Sequence, residues 1–318
     1  MASSEQLDNP ILDSSIQTEV NVEPTQWAVK HDCCCCGPMV EVMVPNKKSH
    51  LFLRHWEFQP AFPILVTCLT LFCLIDYFVT AAPYQYKIIQ IIAPFPIFIF
   101  LGLFMWSYFG AVCMDPGYLP FNWIQTQKFY YTWQEQLSGI AVTQEQVNFA
   151  KTPKNRPPHC SFSTSAGRYV LRADHICGWI ANWVGKRNHK QFMLMNLYGG
   201  LYAGCLFAFQ FGVKDLHQMF DREMSILIPQ VLGLALDGAF MLVLICMFFQ
   251  TLSELAINRT KIQKMKNMEG GKSYSCLESM QEVCGTGNKC LWCCPTPAFD
   301  ETLVMTADMP QAKAEESD

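Results

Sequence analysis

Near the middle of the chain, four residues reading "DHIC" bring an acid, an imidazole and a thiol together: Asp174, His175 and Cys177. Each side chain has a part in one kind of chemistry. A free thiol has a pKa of about 8.5, so only a few per cent is thiolate at neutral pH. An imidazole that accepts the thiol proton turns the sulfur into a nucleophile. A carboxylate behind that imidazole holds its tautomer and stabilises the imidazolium. The trio is thus equipped for covalent catalysis through cysteine. The competing reading is a chance cluster in a folded loop, and the surrounding elements must decide between them.

Those elements are apolar. Of the 318 residues, 51% are hydrophobic, 13% aromatic and only 16% charged. A soluble domain carries about a quarter charged residues. The apolar residues are also grouped. Residues 61–82 hold one charge, Asp76, residues 88–114 and 192–213 hold none, and residues 224–252 hold only Asp237. A membrane-spanning helix needs about 20 apolar residues, and all four windows reach that length. The expected fold is an all-α integral membrane protein with four transmembrane helices. Asp76 and Asp237 raise a second class of function, an ion or proton pathway. Each stands singly in its window, so the expected place for both is a helix end or the inside of the bundle.

Basic residues set the orientation. The segment 115–191 carries Lys151, Lys154, Arg156, Arg168, Arg172, Lys186, Arg187 and Lys190. Lys47, Lys48 and Arg54 precede the first window, and Arg259, Lys261, Lys264 and Lys266 follow the fourth. Lysine and arginine favour the cytoplasmic side. Both termini and the central loop are therefore expected in the cytoplasm, with no cleavable signal before the first window. A loop as long as 115–191 is too long for a connector and should fold as a domain on the membrane. The net charge of −4 comes largely from acidic tails, expected to be without fixed structure. Residues 1–50 are read as a largely disordered cytoplasmic region. Residues 253–318 form a cytoplasmic region with a cysteine cluster (Cys276, Cys284, Cys290, Cys293, Cys294) and an acidic tail. No nucleotide-binding glycine loop is present, and nucleic acid is not an expected partner.

With topology in place, further residues fall into a pattern. Asp115, Pro116 and Gly117 open the loop; Arg156, Pro157 and Pro158 lie upstream of "DHIC"; Trp179, Val184, Gly185, Asn188 and Phe192 follow it. Four helices with this loop resemble the DHHC family of protein S-acyltransferases over about residues 50–260. The resemblance implies that Cys177 takes a palmitoyl or other long-chain acyl group from acyl-CoA, with His175 as base and Asp174 behind it. It also implies Trp179 and Asn182 near the substrate, and Asp115, Pro116, Gly117, Asn188, Thr251 and Glu254 in support. Arg156, Lys186 and Arg187 could pair with CoA phosphates. Acceptors would be cytoplasmic or membrane proteins with juxtamembrane cysteines; membrane lipid would surround the helices, and the acyl chain would stay in a cavity between them. Endoplasmic reticulum or Golgi membrane is the implied location.

The departures concern metal and bracing. The family's loop holds two zinc ions. In ungapped register its ligand positions are Phe149, Thr152, Phe162, Ser163, Ala166, Tyr169, Ile176 and Trp183, none a cysteine or histidine. Structural zinc takes four such donors, so no bound cofactor is expected and zinc is expected absent. Two readings stay open: a decayed domain, acting as a catalytically silent scaffold for clients or other acyltransferases, and an active domain held by apolar packing. Gly178 replaces the family's proline after the cysteine, Ala181 its first asparagine, and Leu252 the threonine that would brace the acid. The run Cys33, Cys34, Cys35 and Cys36 lies near the membrane, where S-acylation is expected. Epitope tags test the topology: those at residues 5, 140 and 310 should be reached from the cytosol, and one between Lys214 and Arg222 should be protected.

Overall fold

The protein is described by a computed structural model covering residues 28–33, 37–44, 47–51, 60–118, 160–163, 168–212, 223–265 and 274–299. Arg156 and Cys34, Cys35 and Cys36 lie outside these residues. Four helical stretches are long and apolar enough to cross a bilayer: Ala61–Tyr84, Lys87–Cys113, His189–Gln210 and Met224–Ala256. The chain is a multi-pass membrane protein. The first stretch is helix α1 (Ala61–Asp76), continued by a π-helical turn at Tyr77–Ala81 and a tight turn at Ala82–Tyr84. The second is α2 (Lys87–Ile92) followed by α3 (Pro94–Cys113). The third and fourth are α4 (His189–Gln210) and α5 (Met224–Ala256).

The helices overrun the apolar windows at the end that carries the motif. α4 starts at His189 rather than at residue 192, and α5 runs to Ala256 rather than to residue 252. The added turns are polar but enclosed: Lys190, Gln191 and Glu254 are all buried. Hydropathy marks what faces lipid, and these turns face protein.

α4 is the most enclosed of the four. It packs against α3 on one side and α5 on the other. Two adjacent glycines allow the close approach. A Cβ on Gly199 would come within 2.9 Å of both Phe104 and Leu244, and one on Gly200 within 2.7 Å of Ile245. Both intramembrane aspartates face the bundle interior, with Asp76 4% and Asp237 1% exposed. Asp237 accepts a hydrogen bond from Gln210 Nε2 at 2.9 Å. Asp76 occupies the space left by Gly233, where a Cβ would meet its carboxylate at 2.0 Å.

Two regions read as unstructured or left undefined carry elements. Residues 28–51 form an antiparallel sheet of β1 (Ala28–Cys33), β2 (Gly37–Val44) and β3 (Lys47–Leu51), in that order. This corrects the expectation of disorder there. Val40, Val42 and Val44 alternate along β2, and β-branched residues at every second position favour a strand. Cys33 ends β1, opposite Gly37. After α5 come α6 (Lys261–Met265) and α7 (Cys276–Cys284). α7 begins with a reciprocal cap: Ser275 accepts from the Glu278 amide, and the Glu278 carboxylate accepts from the Ser275 amide. Its buried residues, Ser279, Val283 and Cys284, turn inward toward α5 and α4.

Gly200→Leu is expected to cost about 1–3 kcal/mol by forcing α4 from α5, read as a lower unfolding temperature in detergent.

Candidate active site

The site is built where α3 ends. An α-helix leaves its last carbonyls without internal partners. Here two asparagines from further along the chain supply donors. Asn182 Nδ2 donates to the carbonyls of Ala111, Val112 and Met114, at 3.2, 3.3 and 2.9 Å. Asn188 Nδ2 donates to the Ala111 carbonyl at 3.2 Å and to that of Trp183 at 2.7 Å. Both side chains are fully buried. Asn182, expected near the substrate, stands opposite Cys177 and commits its amide to α3. Asp115 then turns the chain, its Oδ1 accepting from the amides of Gly117 and Tyr118 at 2.7 and 2.9 Å. Gly117 has φ +102°, a conformation that needs glycine. A Cβ on Gly185 would strike the Pro116 carbonyl at 2.3 Å, so the Asp-Pro-Gly turn and the Val184-Gly185 step lock together.

On this base lie two short hairpins. β4 (Ser161–Ser163) pairs with β5 (Arg168–Val170), and β6 (His175–Cys177) with β7 (Asn182–Val184). The second hairpin carries the nucleophile. Cys177 stands opposite Asn182, and His175 opposite Val184. The α3 clamp therefore fixes the strand beside the thiol.

The trio is assembled. His175 Nδ1 lies 2.9 Å from Asp174 Oδ2, and the imidazole interacts electrostatically with the Cys177 thiol two residues on. Burial alone would raise the Asp174 pKa, but the bond from His175 and nearby cations hold it below the usual carboxylate range. Burial works to lower the His175 pKa, yet its bonds to Asp174 and Cys177 raise it. Burial works to raise the Cys177 pKa, and the bond to His175 brings it below that of an ordinary thiol. All three shifts favour a thiolate beside an imidazolium.

The thiol lines a cavity of about 220 Å³ between the helices. Trp179, Tyr108 and Phe192 flank it near Cys177; Tyr202 and Asp237 also line it. Trp179 is 53% exposed and meets Phe62 edge-on at 5.7 Å. Its carbonyl accepts from the Tyr108 hydroxyl at 2.9 Å.

The structure separates the other residues singled out in the sequence. Lys186 is 3% exposed, with its ammonium 2.8 Å from Glu282 of α7. Its expected role toward a CoA phosphate would compete with this buried ion pair. Arg187 lies 3.7 Å from Asp115. Thr251 donates to the Met247 carbonyl at 2.9 Å. Glu254 accepts from Gln250 Nε2 at 3.1 Å. Leu252 packs on the apolar cluster that includes Cys177 and Ile180 and offers the acid no hydrogen bond. Sequence reasoning missed two residues. Lys261 donates its backbone N–H to Asp174 Oδ1 at 2.8 Å. Glu282 holds both Lys186 and Arg172, the latter at 3.3 Å. No local motif pointed to Lys261; the Ser275–Glu278 capping pair could have located the helix that carries Glu282.

The zinc ions that the resemblance implies do not fit the described residues. Ser163, Tyr169, Ile176 and Trp183 occupy ligand positions without a zinc donor, and no three metal-binding side chains converge among the described residues. Instead Phe162 stands opposite Tyr169, and Ile176 opposite Trp183. In the second hairpin the Ile176–Trp183 pair is of the kind that stabilises sheets. Tyr169 and Trp183 are buried, but Ile176 is 44% exposed and does not join a core.

Comparison with known proteins agrees with the geometry. Residues 143–268 match the family model of the DHHC palmitoyltransferase. The probable protein S-acyltransferase 12 of Arabidopsis thaliana is 28% identical over 64% of this chain and 74% of its own length. The probable protein S-acyltransferase 14 of the same plant is 32% identical over 31% of this chain and 35% of its own length. Palmitoyltransferase ZDHHC3-A of Danio rerio is 26% identical over 59% of this chain and 60% of its length. The chain thus spans about a third to three quarters of these relatives.

The lowered thiol predicts that iodoacetamide alkylates Cys177 with a pH midpoint below the ordinary value of about 8.5. His175→Ala should return that midpoint upward, measured by mass spectrometry of the Cys177 peptide. The acid, imidazole and thiol beside an apolar cavity lie within residues 143–268, the part of the chain that is similar to the DHHC palmitoyltransferase family.

Proposed function

We propose that this protein carries a long-chain acyl group, palmitoyl above all, from acyl-CoA to cysteines of other proteins through an acyl-Cys177 intermediate. The observation that carries the reading is the position of Cys177: it lines the apolar cavity two residues from His175, whose ring is held by Asp174. With Nδ1 of His175 donating to Asp174, Nε2 is left to take the thiol proton. The thiolate attacks the thioester carbonyl. The bond from that carbonyl to the CoA sulfur breaks, and the imidazolium returns the proton to the departing thiol. In the second half an acceptor cysteine gives its proton to His175, attacks the Cys177 thioester and leaves with the acyl group. Asp174, 2% exposed, keeps one tautomer and balances the imidazolium.

The rest of the reading follows from this step. The cavity between the helices takes the acyl chain, while the CoA head stays in the cytosol with Arg156 as a candidate phosphate partner. Trp179 borders the thioester. Residues 115–191 form the cytoplasmic catalytic domain between the second and third spanning helices, and residues 1–50 and 253–318 lie on the same side. Endoplasmic reticulum or Golgi membrane is the setting the family favours. Acceptors are proteins with juxtamembrane cysteines, and Cys33, Cys34, Cys35 and Cys36 are themselves lipidated. Packing of Tyr169 and Trp183 takes over the work of zinc, and the domain is zinc-free. Leu252, which cannot brace Asp174 as a threonine would, is the feature that favours a silent scaffold.

Labelled palmitoyl-CoA separates the two. The purified wild type should acquire hydroxylamine-sensitive label, Cys177→Ala none, and His175→Ala should lose about 100-fold or more in rate. An unlabelled wild type would establish the scaffold, and near wild-type labelling of His175→Ala would remove His175 as base. Metal analysis finding zinc at one or two ions per chain would refute the zinc-free domain.

A further inference from the structure

Asp174 is a buried carboxylate whose family brace is absent. Its Oδ2 is engaged by His175 at 2.9 Å. Its Oδ1 would lack a partner if Leu252 were its only neighbour from the helix bundle. Lys261, the first residue of α6, supplies what is missing. Its backbone N–H donates to Oδ1 at 2.8 Å, and the next amide, of Ile262, donates to the Asp174 carbonyl at 3.1 Å. The Lys261 ammonium lies 3.7 Å from Asp174 Oδ2 and 3.9 Å from Glu254 Oε2. It also stands 5.4 Å above the ring of Phe192, which borders His175 edge-on at 5.1 Å.

This ammonium is unusual for a lysine near a membrane surface. Its side chain is 15% exposed, and its nitrogen makes no hydrogen bond among the described residues. A lysine kept for orientation alone would extend into water, where an ammonium is well solvated. Here it is turned inward between two carboxylates. Its backbone is pinned by a reciprocal cap: the Thr260 amide donates to Gln263 Oε1 at 2.9 Å, and the Gln263 amide donates to Thr260 Oγ1 at 3.3 Å.

We propose that Lys261 is a positioning residue of the acyl-transfer site, its amide and ammonium together holding Asp174 where a threonine hydroxyl would in the family. The proposal rests on the acyl-transfer reading for its purpose, but not for its test. The ammonium adds a positive charge to a cluster with Arg172, Asp174, His175 and Cys177 on the loop, His189 on α4, Glu254 on α5 and Lys264 on α6. Each proton that leaves the His175–Cys177 pair makes this cluster more negative. A nearby cation favours that loss, and the pair titrates as one unit. A residue that only anchors α6 would leave the titration alone.

The test is the pH dependence of Cys177 alkylation by iodoacetamide on the full-length protein in detergent. Lys261→Met keeps the apolar stem and removes the charge; its midpoint should rise by about one pH unit. Lys261→Arg should stay close to wild type. Glu254→Gln removes the opposite charge and should move the midpoint down. A Lys261→Met midpoint equal to that of wild type, whatever its rate, overturns the proposal. So does a Glu254→Gln shift in the same direction as Lys261→Met. Should Lys261→Met not fold, the sign of the Glu254→Gln shift decides alone. Labelling with palmitoyl-CoA is run on the same samples. Wild type that alkylates normally but takes no acyl label refutes acyl transfer and leaves the alkylation result to judge Lys261.

Discussion

Everything near the thiol depends on how α3 ends. The carbonyls of Ala111, Val112 and Met114 need donors, and Asn182 and Asn188 provide them from 68 to 77 positions away. Leaving such carbonyls buried and bare would cost about 1–3 kcal/mol each. The satisfaction of these groups seats β7, and β7 in turn sets the register of β6. Cys177 faces Asn182 across that ladder, so the nucleophile inherits its place from a helix terminus. The Asp-Pro-Gly turn and Gly185 complete the seat by close backbone contact.

Much of this was legible in the residues. The four apolar windows announced the spanning helices, because lipid demands a property that hydropathy measures. The trio and the Asp-Pro-Gly turn were legible because their chemistry lies in adjacent residues. What stayed hidden was long-range. That Lys186 is paired with Glu282 depends on a contact 96 residues away. That the Asn182 amide caps α3 depends on where a helix stops. Lys261 looked like one more orientation charge, since its value comes from facing inward. The alternating valines of β2 were overlooked beside a polar, acidic region.

The departures from the family pattern differ in what replaces them. Where Leu252 withholds a hydroxyl, an amide and an ammonium from Lys261 approach the same carboxylate. Where ligands are missing, the hairpins set residues side by side: Phe162 with Tyr169, Ile176 with Trp183. The second replacement is partial, because Ile176 remains 44% exposed. A metal fixes several residues at a point. Paired strands fix them along a line and leave one face open.

Glu282 is bound at once by Arg172 and Lys186, across 110 and 96 residues of chain. Both cations are buried, at 5% and 3% exposure. A buried charge without its partner is strongly destabilising. During synthesis, the loop that carries the thiol therefore emerges with two cations it cannot yet bury. It reaches its final form only after both later spanning helices are inserted and residues near 282 have left the ribosome. Until Glu282 has been made, Arg172 and Lys186 lack the carboxylate that pairs with both.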